Sequence, residues 1–127
     1  MQGKPKILIV DDQLELREVI RFVLKDKYLV AAVTGAEEAF KYMADNPVNL
    51  VLLDINMPKI DGITALQEIK KSHPETEIIF VTAYATLETI RKALNLGAFG
   101  FLMKPFDHDK LINIVDEALK NRDSNKS

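Results

Sequence analysis

Residues 6–12 read KILIVDD, a short β-branched run closed by two consecutive aspartates. A nearly continuous apolar run of this length suits a strand buried on both faces, as in a parallel sheet. The aspartates then fall just beyond its carboxyl end. Runs of the same kind recur at 28–33 (YLVAAV), 49–53 (NLVLL), 77–81 (EIIFV) and 100–103 (GFLM). Longer stretches lie between them, with apolar residues stepping by three and four. Leu16, Val19, Ile20 and Val23 form one such stripe, Ala36, Ala39, Phe40 and Met43 a second, and Leu111, Ile112, Val115, Ala118 and Leu119 a last one. Five strand–helix alternations predict an α/β, doubly wound parallel sheet. Periodicity does not give the order of its strands.

The punctuation between elements agrees. Asn46-Pro47 and His73-Pro74 end the second and third helices, because a residue before proline is pushed out of helical angles. Gly62 follows Asp61 in a turn before the third helix, Gly97 closes the fourth, and Asp107 stands where the last helix needs a cap. One domain over 1–127 is expected, with a core at about 5–122 and a polar tail, NRDSNKS, that frays.

Composition narrows the function. Seventeen basic against nineteen acidic side chains give a net charge of −2, so no global attraction to nucleic acid or to an anionic membrane exists. The chain has no cysteine, which excludes disulfides, thiolate metal sites and cysteine nucleophiles. No apolar run reaches membrane-spanning length and no secretory leader is visible, so a cytoplasmic protein is expected.

In an open parallel sheet, ligands bind beyond the carboxyl ends of the strands. The residues standing there are Asp11 and Asp12, then Asp54, Thr82, and Lys104 with Pro105. Each has an ordinary explanation alone: an aspartate at a strand–helix junction caps a helix, and a lysine before proline is a solvated loop residue. Together they are a poor fit to coincidence. Two carboxylates about 4 Å apart repel by roughly 4 kcal/mol at an effective dielectric of about 20. A third must raise its neighbours' pKa values or bring in a cation. A hard divalent ion, Mg2+ or Mn2+, answers that need, and Mg2+ is commonly held by one or two carboxylates plus water and phosphate oxygens. Lys104 would balance incoming negative charge, Thr82 would donate to a phosphoryl oxygen, and an aspartate can itself be the nucleophile.

These stretches, ILIVDDQ (7–13), VLLDINMPKIDG (51–62), VTAY (81–84) and GAFGFLMKPF (97–106), resemble the receiver domain of bacterial two-component response regulators over essentially the whole chain. The resemblance implies a flavodoxin-like (βα)5 fold with strand order 2-1-3-4-5 and Asp54 as phosphoryl acceptor. It implies that Asp12 ligates Mg2+ directly, Asp11 largely through water, Asp54 through a carboxylate oxygen and Asn56 through its backbone carbonyl. Lys104 would pair with the phosphoryl group, and its bond to Pro105 is expected to be cis. Thr82 and the backbone N–H of Ala83 would contact phosphoryl oxygens, and Phe101 occupies the position of the switch aromatic that follows Thr82. An aromatic in a strand is also an ordinary core residue. Asn56 and Tyr84 occupy the positions that tune hydrolysis of the acyl phosphate. An amide and a bulky phenol position water less well than an acid, which implies a long-lived phosphorylated form.

The implied phosphoryl donor is a sensor histidine kinase or a His phosphotransfer protein, and the output passes to a protein target. The DDQ and TAY strings are similar to those of single-domain chemotaxis and sporulation-phosphorelay receivers. No helix-turn-helix or basic stripe is visible, so direct nucleic-acid binding is not expected; a receiver excised from a longer DNA-binding transcriptional regulator is the alternative. Leu14, Leu16 and Phe106 would form an apolar rim around the acids, suited to docking a helical bundle that presents its histidine. His73 and His108 have no second histidine at ligand spacing and read as surface residues. Two rival readings fit less well. A flavin protein needs a glycine- and hydroxyl-rich loop where this chain has DDQ. A Mg-dependent aspartyl-phosphate phosphatase needs an acid two residues after its nucleophile, where Asn56 stands.

Overall fold

The computed structural model describes residues 3–57 and 59–126. Strands β1 (Lys6–Val10), β2 (Leu29–Val33), β3 (Leu50–Leu53), β4 (Glu77–Thr82) and β5 (Gly100–Met103) alternate with helices α1 (Leu14–Leu24), α2 (Ala36–Asp45), α3 (Gly62–Ser72), α4 (Leu87–Asn95) and α5 (His108–Lys126). Every neighbouring pair is parallel, in the order β2-β1-β3-β4-β5. This is the flavodoxin-like (βα)5 fold. The chain steps outward from β1 to β2, then returns past β1 to lay down the rest, so the winding reverses between β1 and β3. Crevices at such a reversal are where ligands bind in this architecture.

Period-two alternation in the strands divides the core between two faces. Ile7, Ile9, Leu50, Leu52, Ile79 and Val81 pack against Ile20 and Leu24 of α1 and Leu111, Val115 and Ala118 of α5. Leu8, Val10, Val51, Leu53, Ile78 and Phe80 pack against Ala39 and Met43 of α2, Ala65, Leu66 and Ile69 of α3, and Ala93 of α4. The central strands β1, β3 and β4 are thus covered on both sides, which is why they read as continuous apolar runs. Burial on both faces does not extend to the edge strands. Leu29 is 51% exposed, the rest of β2 is half-buried, and Met103 of β5 is exposed. Each edge strand has a partner on one side only.

On α1 the stripe is narrower than its periodicity suggested. Val19 is 44% exposed, Leu16 and Val23 are half-buried, and Ile20 and Leu24 carry the packing. Boundaries shift by a residue where local bonds compete. Tyr28 donates its N–H to the Leu24 carbonyl at the end of α1, so β2 starts one residue later. Asn49 accepts from the Lys6 N–H through its side chain just before β3 begins. Asp61, Thr86 and Asp107 cap α3, α4 and α5, accepting from Thr64, Thr89 and Lys110 N–H respectively. Gly97 turns the chain out of α4 at φ 109°, a left-handed angle that favours glycine.

Helix α5 continues through residues 121–126 of the polar tail; Ser127 lies outside the described residues. Its far end is tied to the sheet's amino edge. Asn121 Nδ2 donates to Glu77 Oε2 at 2.8 Å, and Asp116 accepts from the Tyr28 hydroxyl and from Lys27 Nζ. Among the described residues no helix is long and apolar enough to cross a membrane.

Candidate functional site

The sheet ladder runs one residue past the strands and clamps the site residues to one another. Asp11 N–H donates to Val33 O, Asp54 N–H to Val10 O, and Lys104 N–H to Thr82 O at 2.8 Å. Adjacent strand ends therefore present Asp11, Asp54, Thr82 and Lys104 along one edge. Oxygens of Asp11, Asp12 and Asp54 lie within 4.8 Å of one another. Asp11 is 2% exposed and Asp54 7%, whereas Asp12 stands in solvent at the mouth of a cleft of about 330 Å³ with Glu37, Glu38 and Lys59. Helix α1 has no side-chain cap at Gln13, so capping does not account for Asp12.

Lys104 Nζ lies 3.2 Å from Asp11 Oδ2 and 3.9 Å from Asp54 Oδ2. Burial pushes the Asp54 carboxyl above its ordinary range. The Asn56 backbone N–H, donating to Asp54 Oδ1 at 3.0 Å, and the Lys104 ammonium pull the other way, while Asp11 and Asp12 add to the rise. Three carboxylates and one ammonium carry a formal charge of −3 + 1 = −2, and all the donor atoms are hard oxygens. Such a set fits a divalent cation of the Mg2+ type, which favours carboxylate oxygen.

The remaining expected residues fall around this cluster. Thr82 is fully buried, and its hydroxyl donates to the Tyr84 carbonyl at 3.1 Å. Ala83 and Tyr84 are exposed on the following turn. Phe101 is half-buried, paired in register with Phe80, with the two rings stacked at 5.2 Å between centroids. The Lys104–Pro105 bond is cis. Leu14, Leu16 and Phe106 line a single groove of about 670 Å³, together with Val19, Lys104 and Pro105. His108 is exposed at the rim of this groove, and His73 is half-buried at the end of α3.

Three residues escaped the sequence reading. Arg17 Nη1 donates to the Asp11 carbonyl at 2.8 Å and so braces the loop bearing both aspartates; a guanidinium six residues after Asp11 was the available signal. Gln13 Oε1 accepts from Lys104 Nζ at 3.5 Å. Gly62 lies against the chain just past β3: a Cβ built there would stand 2.5 Å from Ile55 Cα and 2.9 Å from Asp54 O. Its place after Asp61 suggested a turn and hid this close approach.

The chain matches the family model described as response regulator receiver domain over residues 7–116. It belongs to that family, the receiver domains of two-component signalling. It is 42% identical over 117 residues to the regulatory protein AtoC of Escherichia coli, covering 91% of this chain and 25% of that one. It is 38% identical over 123 residues to the chemotaxis protein CheY of Treponema pallidum, covering 93% and 85%. The chain spans about a quarter of the length of AtoC and of the NtrX-like, PilR and ZraR regulators it also matches. Among solved structures, a CheY-like receiver domain protein from Methanospirillum hungatei superposes with a TM-score of 0.92 at 31% identity, covering 97% of this chain and 99% of that one. The BeF3-activated receiver domain of DrrB superposes with a TM-score of 0.85 at 25% identity, covering 93% and 99%.

Proposed function

We propose that Asp54 accepts a phosphoryl group from the phosphohistidine of a sensor histidine kinase or a His phosphotransfer protein, and that the modified chain then acts on a protein target. The observation that carries this reading is the placement of Asp54: a buried carboxylate at the end of β3, 3.9 Å from Lys104, with two further carboxylates gathered around it. In the transfer, an Asp54 oxygen bonds to phosphorus as the P–N bond breaks. The electron pair returns to the ring nitrogen, and the ring leaves as neutral imidazole when its other nitrogen carries a proton. Asp11, Asp12, Asp54 and the Asn56 carbonyl would hold Mg2+ or Mn2+, which when bound supplies positive charge to the phosphoryl oxygens. Lys104 neutralises further charge, and Thr82 and the Ala83 N–H take the remaining oxygens. Thr82 then moves toward the phosphoryl group and Phe101 turns inward, a shift between two populations of the fold.

The reaction stops at one group per chain, apart from slow hydrolysis, because Asn56 and Tyr84 place no acid beside the acceptor. This is self-modification, not metabolic turnover. Phosphohistidine donors are charged with ATP, which puts the reaction in the cytoplasm. The test is intact mass after incubation with acetyl phosphate. One phosphoryl adduct is expected with Mg2+ and none with EDTA; no adduct under either condition, with hydrolysis of acetyl phosphate also absent, overturns the reading.

The groove beside Lys104 suits the donor's docking, since Leu14, Leu16 and Phe106 offer an apolar rim next to the acceptor. Leu14→Ala and Phe106→Ala are expected to slow transfer from a phosphohistidine protein about tenfold more than uptake from acetyl phosphate, as loss of about 1.4 kcal/mol of docking contact implies. Equal slowing from both donors would remove the docking role. A second reading, in which this sequence is the receiver portion of a longer transcriptional regulator, rests on its spanning a quarter of AtoC and ZraR. The mass of the endogenous protein decides between them.

A further inference from the structure

Asn56 sits between the acceptor and the turn after β4, and it bonds to both. Its backbone N–H donates to Asp54 Oδ1 at 3.0 Å. Its side-chain amide donates to Thr82 Oγ1 at 3.2 Å and to the Tyr84 carbonyl at 3.3 Å. The Thr82 hydroxyl is meanwhile fully used. It donates its one hydrogen to the Tyr84 carbonyl at 3.1 Å and accepts from Asn56 Nδ2 and, at 3.4 Å, from the Tyr84 N–H. A hydroxyl has one hydrogen and two lone pairs, so nothing is left over for a phosphoryl oxygen. For Thr82 to turn toward Asp54, its bond to the Tyr84 carbonyl must break and Asn56 must release the Thr82 hydroxyl.

We propose that Asn56 is a positioning residue that clasps Thr82 and the Tyr84 carbonyl and thereby holds the turn after β4 in its resting arrangement. The inference rests on Asp54 as the phosphoryl acceptor and goes beyond it, because it gives Asn56 a role before any phosphoryl group arrives. The clasp belongs to this side chain in particular. A carboxylate two residues after the acceptor has no hydrogens to donate, and an aliphatic residue has no polar atoms at all. Asn56 reaches across from the β3–α3 loop to the β4–α4 turn, so Asp54 and Thr82 are linked through one residue, by its backbone N–H on one side and its side-chain amide on the other. Losing a pair of such hydrogen bonds is expected to raise the ratio of active to resting turn roughly tenfold.

Amide spectra of the intact chain test this, read at Ala83 and Tyr84. The wild-type protein is recorded alone and with Mg2+ plus beryllofluoride, which fixes the two ends of the scale. Asn56→Ala and Asn56→Leu are then recorded without beryllofluoride. Asn56 is exposed, so both variants are expected to keep the dispersion and melting behaviour of the parent. The clasp predicts that both lie displaced from the resting end toward the beryllofluoride end. A residue that only gates water would behave differently. Alanine would open the site and leucine crowd it, altering hydrolysis of the phosphoryl group in opposite directions, while both resting spectra stayed at the wild-type position. That result, with a normal beryllofluoride response in the wild type, overturns the clasp and leaves the acceptor intact. Failure of the wild type itself to respond to beryllofluoride overturns the acceptor reading first. Should Asn56→Ala lose its fold, Asn56→Leu, which keeps the side chain's bulk, decides the matter.

Discussion

Asp54→Asn is expected to take up no phosphoryl group and to melt higher than the parent. The first effect follows from chemistry, since an amide oxygen is no substitute for a carboxylate nucleophile. The second follows from burial. Asp54 is 7% exposed, and burial together with Asp11 and Asp12 raises its carboxyl above the ordinary range despite Asn56 and Lys104. The folded chain therefore binds this proton more tightly than the unfolded chain does. Under linkage, stability contributed by the protonated group is present below the ordinary carboxylate pKa. It is lost as pH rises from there through the raised folded value, so at neutral pH the parent bears the whole cost. Asparagine has the same shape, can still accept from the Asn56 N–H, and carries no charge. With Lys104 already offsetting most of a repulsion of roughly 4 kcal/mol, removing the residual charge gains about 1–2 kcal/mol, or about 3–8 °C for a chain of this size. Melts in EDTA at neutral pH and near pH 3 should show the gain at the first and little at the second. A lower melting point at neutral pH would mean that Lys104 already more than compensates the burial.

Gly62→Ala carries the largest structural effect. The added carbon would stand 2.5 Å from Ile55 Cα, 2.8 Å from a Phe80 ring carbon and 2.9 Å from Asp54 O. Two of these are backbone atoms and cannot rotate aside. Gly62 also donates its N–H to the Ile55 carbonyl at 3.0 Å, so the start of α3 cannot retreat without breaking that bond. Overpacking in a well-filled core costs about 1–3 kcal/mol, and the upper end applies where backbone must move. The melting point should fall by about 8–15 °C. Because the displaced segment carries Asp54, phosphoryl uptake should slow by about 10²-fold, the scale of an ångström-sized misplacement. Gly35→Ala is the control, since a Cβ there meets nothing within 4 Å. If the two variants melt alike, the close approach at Gly62 does not constrain the fold.

The parts of this fold that stood out most in sequence were the strands under two-sided burial. Leu8 to Val10, Val51 to Leu53 and Ile78 to Val81 must be apolar on both faces, so their runs stand out. β2 and β5 carry the same kinds of residue under weaker constraint, and the sequence does not record that they lie at the edges. Helix α4 steps Leu87, Ile90 and Leu94 by three and four, yet Ala93 is its one buried residue, so its apolar spacing does not mark core. Charged site residues were visible because three acids and a lysine all follow apolar runs, and the ordinary explanation that each has alone does not cover the set. Their convergence depended on strand order, which came from family resemblance and not from spacing. The clasp from Asn56 and the contact at Gly62 could not be read in advance. Each depends on how two loops approach across the sheet edge, and no local pattern encodes that distance.

The ties at the far end of α5 have a mechanical consequence. Asn121 on Glu77 and Asp116 on Tyr28 and Lys27 fix the helix at the edge of the sheet opposite the acids. From Asn121 back to His108 the helix is about 20 Å long, at about 1.5 Å per residue. Leu111, Val115 and Ala118 seat the same helix in the core between those ties and His108, so a displacement entering at His108 moves the rod as a unit and does not swing one end. Lys104, Pro105 and Phe106 lead directly into the His108 end. A shift of the ammonium is thus passed into a rod that is seated in the core and tied on the other side of the molecule.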